Sequence, residues 1–162
     1  MRFLAAALLA GVFASPGAQP APAKDVRFRW AFGALTGPST ARTLVRVTDE
    51  MTLRSGDELK MLVSPVSQCF VYVLHEDPRG ELTVLFPAES GTFPPGYGAG
   101  VRQMIPPGDQ WLMLDDTTGI ERIYLVASTT RLARLETLLQ QKARAEIIGE
   151  LASLRKQHAA TD

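Results

Sequence analysis

One cysteine, Cys69, stands in 162 residues, so no disulfide can form within the chain and packing has to hold the fold. Neither sign of charge is in excess: 17 basic and 17 acidic residues cancel, and no overall field draws the molecule to nucleic acid or to an anionic surface. After the first residues no apolar run approaches the ~20 residues that a bilayer span needs. The catalytic signatures with fixed spacing are missing too, with no G-x-S-x-G elbow, no H-E-x-x-H and no paired cysteines. Of two histidines only His75 lies in the body of the chain.

What is present begins with a leader. Met1 to Ala14 has Arg2, an unbroken apolar run, then small residues and Ser15-Pro16, which is the pattern of a secretory signal peptide. Cleavage after Ala14, Ala18 or Ala23 suits the small-residue rule equally. Residues 1–23 are therefore read as signal peptide and flexible lead-in, and the mature protein is expected in the periplasm or secreted, with no stable membrane span. Cys69 lies far from the leader, so it is no lipid-attachment site and reads as a small buried hydrophobe.

The organising stretch is Cys69 to Pro87. Cys69, Val71, Val73 and His75 alternate with Phe70, Tyr72 and Leu74, and a second arm sets Leu82, Val84 and Phe86 against Thr83 and Leu85. Between them Asp77-Pro78-Arg79-Gly80 has the residues of a type I turn. A strand apolar on both faces must be covered on both, so this hairpin belongs in the middle of a sheet with a second layer against it.

Around it the chain reads as short strands. Val26, Phe28, Trp30 and Phe32 form one buried face, Leu44 to Val47 a short strand, and Leu59, Met61 and Val63 another ending at Pro65. Val101 to Ile105, Trp111 to Leu114 and Ile120 to Ala127 complete the set, the last again apolar on both faces. Strands without intervening helices predict a mainly β fold, an antiparallel β-sandwich, Ig-like or partly open barrel, over residues 24–130. Residues 131–158 form a C-terminal amphipathic helix with Leu132, Leu135, Leu139, Ala143, Ile147, Leu151 and Leu154 on one stripe and Gly149 as a bend. That stripe either packs on the sheet, which its four-residue steps favour, or forms a homodimer.

Each candidate for chemistry has a plainer reading. Six strand positions separate Cys69 from His75 by ~20 Å, too far for a dyad. His75 and Asp77 share no further ligand at metal spacing, so no metal is expected, and no cofactor. Gly96-Tyr97-Gly98-Ala99-Gly100 precedes a strand, not a helix, and so is no phosphate loop. Asp115 and Asp116 are adjacent turn formers.

The order Ser55-Gly56-Asp57, Cys69 to Leu74, Gly80-Glu81-Leu82, Leu85-Phe86-Pro87, Ile105-Pro106 and Gly119-Ile120-Glu121-Arg122-Ile123 resembles the bacterial domain-of-unknown-function family 4384, over roughly Val26 to Thr130. Glu121 stands where Asp is more usual and Phe70 where a small residue often precedes the Tyr. The resemblance implies an envelope or surface protein, or an accessory module, and carries no catalytic residues. The function expected is a non-enzymatic envelope module that binds a protein or cell-envelope component, not nucleic acid. The Glu89 to Gly100 loop is its expected contact surface, with Phe93, Tyr97 and Arg102 as candidate binding residues. The alternative is a small periplasmic hydrolase or ligand carrier with a pocket under the 88–100 loop.

Overall fold

Residues 26–48, 51–87 and 98–159 are described by the computed structural model. Their strands are β1 (Phe28–Thr36), β2 (Thr43–Arg46), β3 (Glu58–Pro65), β4 (Phe70–Glu76), β5 (Leu82–Phe86), β6 (Gln103–Ile105), β7 (Leu112–Met113) and β8 (Arg122–Ser128). Two helices follow, α1 (Ala133–Gln141) and α2 (Arg144–Ala159). All strand pairs are antiparallel. One sheet runs β2-β1-β3-β6, with β7 also on β3, and the other runs β5-β4-β8. The mainly β sandwich with a helical C-terminus is thus the architecture, open and not closed into a barrel.

Three layers result because β4 and β8 are apolar on both faces. Between the sheets Cys69, Val71 and Val73 pack with Met61, Val63, Phe86 and Ile105, joined by Ile123, Leu125 and Ala127. On the far side Tyr72 and Leu74 pack with Leu135, Leu139, Ile147 and Leu151, joined by Tyr124 and Val126. Leu135, Leu139, Ile147 and Leu151 of the helical stripe are therefore buried on the small sheet, the first of the two arrangements its spacing allows, with Leu132, Leu138, Ile148 and Leu154 partly buried around them. Cys69 is fully buried, and burial pushes its thiol pKa up.

Three details differ from the periodicity. Alternation places Phe86 with Leu82 and Val84. The register instead slips between Val73 and Leu74, whose partners are Phe86 and Val84, so Leu85 is an extra residue. A bulge of one residue turns Phe86 over to the inter-sheet core. Trp30, expected inward, is 53% exposed: β2 pairs with β1 only from Gly33 onward and leaves the earlier half of β1 at the sheet's border. The single long helix is two. Lys142 adopts φ 53° and its amide and that of Ala143 take up the last carbonyls of α1, whereas Gly149 sits inside α2 with open space beside it.

Buried carboxylates fix the helical layer. Tyr72 donates its hydroxyl proton to Glu136 at 2.7 Å and accepts from the Leu132 amide at 3.2 Å, while Arg131 grips the same carboxylate. Burial first, then Glu136, pushes the Tyr72 pKa up to about 12. At the other end of β4, Glu76 is 4% exposed and accepts from Tyr124 at 2.7 Å and from Arg144, the first residue of α2, at 2.5 Å. Such pairs add little net stability but determine where the helices sit.

Two outcomes follow from these contacts. Phe86→Ala is expected to cost about 3–5 kcal/mol in urea unfolding, since the bulge commits that ring to the core; a surface-like loss under 1 kcal/mol contradicts the register. For Glu76, the Tyr124 hydroxyl foremost and then Arg144 and Arg122 hold the carboxyl below its ordinary value against the opposing effect of burial. A depressed folded-state pKa gives stabilisation that is complete above the ordinary carboxylate pKa of 4.5 and is lost as pH falls through the folded value. The stability gap between the native chain and Glu76→Gln should therefore shrink on acidification through that range, and a gap constant from about pH 7 to pH 3 rules the ionised latch out.

Candidate functional site

The β4–β5 turn is built by its sequence. Pro78 presets φ, the Gly80 amide donates to the Asp77 carbonyl at 2.9 Å, and Gly80 takes φ +81° so that Asp77 and Glu81 pair. Asp77 also accepts from the Glu81 amide at 2.6 Å and from Arg79 at 3.1 Å. Two distant elements then close on this turn. A Cβ on Gly119 would lie 2.5 Å from Pro78 Cβ, so only glycine lets the 114–121 segment approach. A Cβ on Gly80 would lie 2.6 Å from the Arg144 guanidinium, which crosses the turn on its way to Glu76.

Beside the turn lies a wide-mouthed recess of about 210 Å³, walled by His75, Asp77, Glu81, Thr83, Asp115 and Glu121. His75 Nε2 pairs with Glu121 Oε2. Arg79 bridges Asp77 and Asp115, at 3.1 and 3.3 Å. Burial raises the Asp77 pKa, but the Glu81 amide and Arg79 outweigh it and hold the carboxyl below its usual value. Asp115 is held low by the Thr117 amide and hydroxyl, with Arg79 helping. The recess is thus anionic at neutral pH and suited to a cationic group. Among the described residues no three of His, Cys, Asp and Glu converge to hold a metal ion.

The candidate residues from the sequence do not meet here. Phe93 and Tyr97 lie outside the described residues, as does most of the 88–100 loop. Arg102 is exposed just before β6, on the opposite sheet. Sequence reasoning placed His75 and Asp77 near each other and missed Glu121, 46 positions from His75, although Glu121 belongs to the Gly119–Ile123 phrase. It also missed Lys60, which is buried, donates to the Gly108 and Gln110 carbonyls and lies 5.1 Å from the centroid of Trp111.

Residues 52–131 match the family model described as Domain of unknown function (DUF4384). The matched span starts after β2 and stops before α1. No curated protein and no solved structure matches the chain.

The crossing of Gly80 by Arg144 sets up a double-mutant cycle. Gly80→Ala is expected to cost about 1–3 kcal/mol, from strain at positive φ and displacement of Arg144 from Glu76. In an Arg144→Ala background the cost should fall by at least about 0.5 kcal/mol; strictly additive losses show that the guanidinium does not rest on the turn.

Proposed function

Through residues 52–131 the chain belongs to the DUF4384 family, and from that premise we propose that it is an exported, non-enzymatic module that binds a protein or cell-envelope component. The observation that carries this reading is where the reactive side chains are committed. His75 is paired with Glu121, the Tyr72 and Tyr124 hydroxyls with Glu136 and Glu76, and Cys69 sits in the core. These groups are committed to contacts within the fold, while large apolar side chains such as Leu44, Met104 and Met113 stand exposed on the five-stranded sheet. A rigid scaffold with exposed apolar residues is suited to docking.

One observation favours the second reading, a small hydrolase or ligand carrier. The recess brings His75, Asp77 and Asp115 to one wall, at the β4–β5 turn. Crosslinking in the periplasm followed by pull-down separates the two. Specific capture of a protein or envelope component that persists in the His75→Gln and Asp115→Asn variants supports the binding module. Turnover of a small substrate that those two substitutions abolish overturns it in favour of the enzyme.

A further inference from the structure

The two sheets are finished differently on their outer faces. The small sheet is covered by α1 and α2, whereas on the outer face of the large one the 108–111 segment covers Lys60 and Leu44, Met104 and Met113 stay exposed. Register assigns that face residue by residue. Because Leu59, Met61 and Val63 turn into the core, Glu58, Lys60, Leu62 and Ser64 turn outward, and their cross-strand partners share that side. One row is Ala31–Leu62–Met104 and another Leu44–Leu35–Glu58–Met113. Leu44, Met104 and Met113 are 66%, 44% and 65% exposed.

The charges on this side are biased. Glu58 is neutralised by Arg42 at 3.6 Å. Lys60 is bound to loop carbonyls, with exposed Asp109 in the same loop. Arg29, opposite Ser64, and Arg46, opposite Gly33, are exposed and have no ion pair among the described residues. Arg102 stands two positions before Met104 at the same edge, exposed and likewise without one. Strand geometry spaces these three guanidinium-bearing positions about 10–20 Å apart, on either side of the Ala31–Leu62–Met104 row. The carboxylates of the recess gather at the β4–β5 turn, beyond Met113, which ends the second row and also lines the recess, so the arginines and the recess carboxylates lie at different ends of the molecule's surface.

We propose that the outer face of the β2-β1-β3-β6 sheet docks on an anionic lipid surface, with Arg29, Arg46 and Arg102 meeting headgroup charge and Leu44 and Met104 entering the interface. This rests on the binding-module reading and names its envelope component. A planar partner fits better than a peptide because Leu44, Met104 and the three arginines line neither the cavity between the sheets nor the recess at the turn, and present scattered apolar side chains with cations beside them.

Vesicle co-sedimentation of the full chain tests it, with phosphatidylglycerol–phosphatidylcholine (1:1) against pure phosphatidylcholine vesicles. The apolar N-terminal run is common to every variant and cancels in the comparison. Binding to the anionic vesicles should be at least about tenfold tighter and should weaken in high salt. At roughly fivefold per arginine, R29Q/R46Q/R102Q should lose about 100-fold, and the corresponding lysine variant should retain most of the binding. L44S/M104S should weaken it further, with unchanged melting showing that each variant is folded. Equal partition into both vesicles, or anionic binding unchanged in the triple glutamine variant, overturns the proposal. So does arginine-dependent binding of soluble polyglutamate without vesicle binding, which assigns the face to an acidic protein. Failure here beside a specific protein capture in the pull-down removes only this surface, whereas His75-dependent turnover removes the binding-module reading itself.

Discussion

Everything in this molecule depends on β4 having two apolar faces. Cys69, Val71 and Val73 point one way, and Phe70, Tyr72 and Leu74 the other. Exposing a large apolar side chain costs about 1.5–3 kcal/mol, so baring three of them on one face costs on the order of the whole net stability of a domain, about 5–15 kcal/mol. A sandwich covers only one face. The helical hairpin is therefore part of the folding unit, even though the family match stops at residue 131 and the helices lie beyond it.

Polar groups in this seam specify position more than they supply energy. Apolar packing alone would let a pair of helices slide over a sheet, because dispersion and hydrophobic burial are non-directional. Glu136 on Tyr72 and Glu76 on Arg144 remove that freedom at two ends of β4. The second of these ties α2 to the β4–β5 turn as well, since Arg144 passes over Gly80. Turn, strand and helix are thereby coupled through one guanidinium, and at Gly80 and Gly119 a side chain would hold these elements apart.

The same layering separates the molecule's charges. Carboxylates gather at the β4–β5 turn around His75, and Arg29, Arg46 and Arg102, with no ion pair among the described residues, lie on the outer side of the large sheet. Cys69, the Tyr72 hydroxyl, Glu76 and Glu136 are taken up by interior packing and pairing.

Periodicity by itself determined the strands, the faces of β4 and β8, the type I turn and the helical stripe, because a two-residue or 3.6-residue repeat is a local property carried by neighbouring side chains. Tertiary structure decided what local repeats do not contain. Leu85 and Phe86 are both apolar, so nothing in the alternation marks the extra residue that turns Phe86 inward. Lys142 breaks the helix without glycine or proline at that point, and α1 and α2 both pack on the same sheet face. Trp30 obeys its alternation and is exposed all the same, since burial depends on which strand lies beside it. The pairing of His75 with Glu121, and the gathering of Arg29, Arg46 and Arg102 on one face, join residues tens of positions apart. Only the stacking and register of the sheets bring such residues together, and that is the physical reason the fold was legible in the chain while its surfaces were not.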